Sequence, residues 1–314
     1  MTRYLLRRLL FALPTLLAVL TLVFVLVRIV PGDPALVIMG DQATAEALRE
    51  LRAKLGLDQP VWRQYVTFMT QVLGGDLGRS LITNRPILTD VAAVLPFTLE
   101  LTIAALLIGI VGGVPLGVMA AQRRDGFGDW VARIVSLVGL SFPAFVSAIL
   151  MLLAFAIHFH WFPVISRGWP MSEPVERLRS LALPAFNLGL IMIAYVTRVT
   201  RSGMLKAMSE DYVRTARAKG VPARVVVWRH GLRNVLIPIV TVIGLYFGVL
   251  IGNSVLTEIV FNRPGLGKLI IGALEKRDYS MLQGLMVIYA FIIVLVNLIT
   301  DLVYGVVDPR VKTI

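Results

Sequence analysis

The sequence predicts an all-α, polytopic membrane protein, and three observations carry that expectation. Hydrophobic residues make up 57% of the 314-residue chain against 16% charged, and the mean hydropathy is +0.80. One soluble core of this length cannot bury so much apolar surface, so lipid must be part of the solvent. Apolar runs near Leu9 to Val30, Leu101 to Ala121, Val131 to Ile157, Leu181 to Val199, Val235 to Thr257 and Met281 to Val306 each have the length to cross a bilayer core, which takes roughly 20 helical residues. Threading these six spans puts 17 Lys/Arg against 6 acidic residues on the side holding the N-terminus, and 14 against 13 on the other.

The elements follow in order. Arg3, Arg7 and Arg8 precede the first run as in a signal peptide, but the run is too long and lacks a small-residue cleavage site. Residues 1–30 therefore read as a retained transmembrane anchor. Pro31-Gly32-Asp33-Pro34 stops that helix, because proline lacks a donor and the residue before it avoids the α region. The external segment 31–97 reads as ordered and amphipathic. Ala45 to Lys54 has helical character with Gly56 as its stop, and Pro60 to Val72 carries Val61, Tyr65, Phe68 and Val72 on one face before Gly74-Gly75. The rest, 98–314, forms a five-helix core with a basic loop at 198–233. Gly109, Gly113 and Gly117 line one ridge of its first helix, where another helix can approach closely. Pro115 and Pro143 kink their helices.

Basic residues in short loops set membrane orientation. Both termini are expected to be cytoplasmic, and the net charge of +12 reads as topology rather than as a nucleic-acid surface. With no cysteine, disulfides, thiolate metal sites and cysteine nucleophiles are excluded. Arg263-Pro264-Gly265-Leu266-Gly267-Lys268 imitates part of a phosphate loop, but Asn262 stands where that loop needs glycine and Leu269 where it needs Ser or Thr. No nucleotide hydrolysis by this chain is expected. His158 and His160 do not share a helical face, so with Trp161 and Phe162 they read as an interfacial belt rather than metal ligands, and His230 reads as a packing residue. Glu100, Asn187, Asn253, Glu258, Asn297 and Asp301 lie within or at the ends of spans, where polar groups are expensive and often line a path. They are too few through mid-membrane for a proton relay, which counts against an ion-coupled carrier. No catalytic constellation appears.

The basic segment carries the sharpest punctuation. Ser209 to Gly220 reads as a short helix closed by Gly220 in the left-handed conformation, and Pro222 is pre-shaped for the next helical turn. Tyr212 and Ala216 make a modest apolar face flanked by Arg214 and Arg217. A solvated basic loop explains this charge but not this punctuation.

At Thr200-Arg201-Ser202-Gly203-Met204-Leu205, Asp211 to Gly220, Arg229-His230-Gly231-Leu232-Arg233-Asn234, Phe261 to Gly267, Asp308-Pro309-Arg310 and Gly75-Asp76-Leu77-Gly78-Arg79-Ser80, the chain resembles the permease subunit of ATP-binding-cassette importers of the dipeptide, oligopeptide and nickel branch. In importer permeases generally the cytoplasmic signature is E-A-A-x-x-x-G; alignment on Gly220 puts Arg214, Thr215 and Ala216 first, so only the last alanine and the glycine agree. The departure is the form this branch has. The resemblance implies an importer-type transmembrane domain whose coupling helix (Asp211, Tyr212, Arg214, Thr215, Ala216, Arg217, Lys219 and Gly220) seats in a groove of an ATPase subunit. It further implies a second homologous permease, two ATPase subunits that use ATP and Mg, an extracytoplasmic substrate-binding protein and a place in the bacterial or archaeal inner membrane. The chain itself is expected to hold no cofactor. Short peptides are the expected solute, with nickel, haem or oligosaccharide as alternatives within the family. No pore residue is assigned.

Overall fold

The computed structural model describes residues 2–29, 34–39, 44–54, 56–170 and 172–307. The stop at Pro31-Gly32-Asp33 and the Asp308-Pro309-Arg310 motif lie outside the described residues. In chain order the helices are α1 (Thr2–Ile29), α2 (Pro34–Met39), α3 (Ala45–Lys54), α4 (Val61–Leu73), α5 (Ile87–Gln122), α6 (Phe127–Ser141), α7 (Ala144–Met151), α8 (Pro174–Ser209), α9 (Asp211–Ala218), α10 (Ala223–Val225), α11 (Arg233–Val260), α12 (Leu266–Glu275) and α13 (Tyr279–Val307). Wider π-helical turns at Leu152–His158 and Val226–Leu232 extend α7 and join α10 to α11. Among the described residues the one β-type pairing is an isolated bridge between Arg79 and Pro86.

Among the described residues five helices are long and apolar enough to span a membrane, and α6 with α7 makes a sixth if that bent pair counts as one crossing. Here the structure corrects a detail of the sequence reading. Pro143 does not kink the third span; it breaks it, with α6 and α7 meeting at 103°. Phe142 is extended (φ −98°, ψ 130°), the conformation a following proline enforces. Three spans are also longer than expected, and one of them, Ala223–Val260, runs 38 residues through α10, the π-helical turn and α11. Both α5 and α8 reach 36 residues, about 54 Å at the usual rise per residue, because Asp90 and Glu100 at the N-terminal end of α5, Glu176 and Arg177 at that of α8, and Arg198, Arg201 and Lys206 at the C-terminal end of α8 dilute hydropathy without interrupting the helix.

The chain divides into two compact units. One comprises Met1–Leu5, Phe97–Pro264 and Val296–Ile314. Its centre is α8, whose Leu188, Met192, Val196 and Met204 are fully buried in a cluster with Leu101, Ala105, Val235 and Leu250. The expected glycine ridge is used here. A Cβ on Gly113 would stand 2.7 Å from Val196 Cβ, one on Gly117 2.6 Å from Thr200 Cβ, and one on Gly109 would overlap Met192, so α5 lies against α8 as only small residues allow.

The other unit comprises Leu6–Pro96 and Gly265–Leu295. In it α3 has the expected bounds, Gly56 closes the following turn at φ +67°, and Gly75 follows α4 at φ +79°. Phe68 and Val72 are buried against Leu20, Phe24 and Val287, while Tyr65 is partly buried and takes a hydrogen bond with Thr21 (2.8 Å). Val61, expected on that face, is instead 62% exposed, since the first residue of α4 precedes the packed turn. Buried Asp278 accepts from Ser80 Oγ (2.5 Å) and from the backbone N–H groups of Leu81 and Met281, which pins the Gly75–Ser80 motif to the start of α13.

Candidate functional site

The corner at α9 is built by local rules. Glu210 is extended (φ −75°, ψ 151°) and ends α8, and the helix restarts at Asp211. Thr215 Oγ1 donates to the Asp211 carbonyl (2.9 Å), and Asp211 lies 3.3 Å from Arg214 in an i, i+3 ion pair. Gly220 closes the helix at φ +73°, with its N–H on the Arg217 carbonyl (2.9 Å) and the Val221 N–H on the Ala216 carbonyl (3.1 Å). Pro222 (φ −54°) precedes α10.

One face of α9 is anchored. Val213 and Ala216 are buried with Val226, and Met208 and Val221 pack on them. The apolar face expected from Tyr212 and Ala216 is therefore carried by Val213 and Ala216, because the spacing of three brings Val213 under the turn where Val226 waits; Tyr212 is 40% exposed. The other named residues, Asp211, Arg214, Thr215, Arg217, Lys219 and Gly220, are exposed. The structure thus brings the eight named residues onto one short, internally braced helix and the cap that closes it, with a cationic and aromatic face to the outside.

Two carboxylate nodes fix the ends of α8, and sequence reading missed the first. Asp129 at the start of α6 is fully buried and accepts from Arg201 Nε (2.5 Å) and Nη2 (2.9 Å), from Arg133 Nη2 (2.7 Å) and from the Asp125 N–H (3.0 Å). Arg201 sits nearly three turns before α9, so the node ties the helix that feeds the corner to α6. At the other end Arg177 Nε (2.9 Å) and Arg263 Nη2 (2.8 Å) both donate to Glu100, and both guanidiniums lie over the Phe97 ring. Arg263 is 1% exposed. Burial pulls its pKa below the ordinary arginine value, the charges of Glu100 and Glu258 oppose that, and the group stays protonated at physiological pH. Arg263 therefore serves as an ion-pair partner in the segment whose sequence imitates a phosphate loop.

The remaining polar candidates separate. Asn187 is fully buried, donating to the Ala144 carbonyl (3.0 Å) and accepting from Ser147 Oγ (2.7 Å), so it satisfies the backbone beside the Pro143 break rather than lining a path. Glu258 accepts from Thr98 Oγ1 (2.6 Å). Asn297 is exposed and Asn253 half-buried. His160 takes φ +56°, and Phe155, Phe159 and Trp161 stack beside it; among the described residues no cluster of metal-ligating side chains forms.

Among the described residues, helices long and apolar enough to span a membrane, joined to an exposed and internally braced corner helix, mark a membrane-embedded chain. The chain belongs to the family of binding-protein-dependent transport system inner membrane components, whose model matches residues 113–313, with the N-terminal model of the same system matching 1–102. It is an integral inner-membrane permease subunit of an ATP-binding-cassette importer, and the ATPase of such systems resides in separate subunits. The dipeptide transport system permease protein DppB of Alkalihalophilus pseudofirmus is 38% identical over 99% of this chain and 100% of its own length. The glutathione transport system permease protein GsiC of Salmonella choleraesuis is 39% identical over 99% of each. The same fold occurs in the MetNI methionine ABC transporter (TM-score 0.56, 16% identity, 70% of this chain and 96% of that one). It also occurs in an amino acid ABC transporter crystallised with histidines (TM-score 0.51, 19% identity, 71% and 94%).

Proposed function

We propose that this permease imports short peptides, and that α9 is the lever through which partner ATPases drive it. The observation that carries the solute class is end-to-end likeness at 38–39% identity to permeases named for a dipeptide and for glutathione, itself a small peptide. In this reading 98–314 is the transport core, 31–97 is the outer surface that receives an extracytoplasmic binding protein, and 1–30 is an anchor. Both termini face the cytoplasm. A second homologous permease completes the path, and two ATPase subunits supply ATP and Mg chemistry.

The coupling assignment is supported by the split faces of α9: Val213 and Ala216 fasten it to its own chain, while Tyr212, Arg214, Thr215, Arg217 and Lys219 are left to a partner. Force applied to the exposed face reaches α8 through the short Glu210 link, and α8 is held to α6 by Asp129. Alternating access then follows, as closure of the ATPases moves the α9 helices and the packed helices move with them.

Reconstitution with the partner subunits and binding protein tests both parts. Radiolabelled dipeptide uptake should depend on ATP and on the binding protein. Gly220→Val should lower uptake more than tenfold while the complex still assembles, since a β-branched residue at φ +73° costs on the order of 1–3 kcal/mol and unwinds the cap. No neighbour lies within 4 Å of the site of a new Cβ, so any defect would report backbone conformation and not a clash. Full uptake with normal binding-protein-stimulated ATP hydrolysis in Gly220→Val would remove α9 from the coupling route.

A further inference from the structure

Exposed faces of the span helices differ in chemistry. On α1 the open residues include Leu9, Leu13, Leu17 and Leu22, and on α5 they include Ile103, Leu107 and Val111, one turn apart. Such aliphatic stripes suit lipid. The inner half of α8 is different, because its buried side is occupied by Ile193, Val196, Thr200 and Met204 and its open side, at helical spacing, runs through Tyr195, Arg198 and Ser202. The Tyr195 ring lies tilted against that of Tyr246 of α11, with centroids 3.7 Å apart and planes at 31°.

The two arginines of this turn have opposite situations. Arg201 is engaged by Asp129, whereas no carboxylate among the described residues pairs with Arg198, which is exposed. An ionisable side chain on a spanning helix faces water or a partner, not hydrocarbon. An aliphatic stripe would serve equally against lipid or a neighbouring helix, but an exposed arginine and serine, with two half-buried tyrosines beside them, fit a wet surface.

We propose that Tyr195, Arg198 and Ser202 of α8, with Tyr246 of α11, line the water-filled path, and that Arg198 holds the carboxylate of the solute in transit. This rests on the peptide-import reading. A short peptide of any sequence offers one terminal carboxylate and several carbonyls. The guanidinium meets the first with a charge-assisted hydrogen bond and the tyrosine hydroxyls donate to the others, so recognition needs no side-chain pocket.

The absence of cysteine makes the test direct. In the reconstituted complex, Tyr195→Cys, Tyr246→Cys and, as the lipid-facing control, Leu107→Cys are treated with a membrane-impermeant, sulfonate-bearing thiol reagent and read as the mass shift of this chain. Labelling at 195 and 246 should be at least about tenfold faster than at 107, because only a hydrated thiol ionises to the reactive thiolate. Equal rates overturn the wet stripe. In the second arm, Arg198→Gln should lower alanylalanine uptake about tenfold and leave alanylalanine amide uptake unchanged, with Arg198→Lys retaining most of the activity. No loss, or equal loss for both solutes, overturns the carboxylate role. If the wild-type complex imports neither solute, the peptide reading itself fails, and the labelling arm still decides whether the stripe is wet.

Discussion

Two spans of similar kind behave in opposite ways: α1 is the most apolar of them and only 17% of its apolar window is buried, whereas α8 is the least apolar and 72% of its window is buried. In water the order would be reversed. Lipid explains the difference, because hydrocarbon is as good a solvent for leucine as a protein interior is. Apolar content therefore marks contact with lipid, and the helix at the centre of its unit is marked by close approach and by polar groups paired off in advance. On α8 these are Gly189 under Ile108, Asn187 on the Ala144 carbonyl, and Arg201 on Asp129.

The strongest test of that contrast is Asp129→Ala. Removing one member of a buried ion cluster leaves the others desolvated and unpaired, which costs about 3–5 kcal/mol. The lower end applies here, because the Arg201 side chain keeps 23% exposure. The thermal midpoint of the detergent-purified complex should fall by several degrees or the chain should fail to assemble. Asp129→Asn, which keeps an acceptor, should lose less, and Arg201→Ala in the Asp129→Ala background should add little further. Additive losses would mean that the two residues act separately, and that α8 is not held to α6 by charge.

Next in size is the glycine seam. A valine at Gly117 would bring its Cβ to 2.6 Å from Thr200 Cβ and 2.8 Å from the Thr197 carbonyl, so the helices must part. Overpacking of this kind costs about 1–3 kcal/mol. Thr200→Ala should recover part of the loss, since it opens space at the contact and removes a hydroxyl that has no hydrogen-bond partner among the described residues. Stability unchanged in Gly117→Val would show that α5 slides freely on α8.

This seam was legible in the sequence: glycines four apart announce close approach before any partner is known, and the structure supplies the partner. Gly220 was legible for a similar reason, since only a left-handed cap explains a glycine followed by Pro222. The Asp129 node was not. Its partner Arg201 is 72 residues away, and no local spacing rule joins residues on different helices. The right-angled break at Pro143 escaped because composition gives a proline's position but not whether its neighbours hold the helix straight. The anchored face of α9 was read one residue off, at Tyr212 instead of Val213, because an amphipathic helix of eight residues leaves its phase to whatever packs beneath it, here Val226.

The smallest effect is expected on α1, where Leu17 is 48% exposed. Leu17→Ala exchanges contact with lipid for less contact with lipid, and on membrane-insertion scales that difference is about 0.5 kcal/mol, with no cavity left inside the protein. The thermal midpoint should move by less than a degree or two, and uptake should stay at the wild-type level. The result also bears on assembly, since a second permease subunit could cover an exposed face as well as lipid does. A loss of Leu17→Ala stability comparable to that of Gly117→Val would mean that a packed protein surface, not hydrocarbon, sits against this side of α1. In that case the contrast with α8 would be a contrast between an interface within one chain and an interface between two.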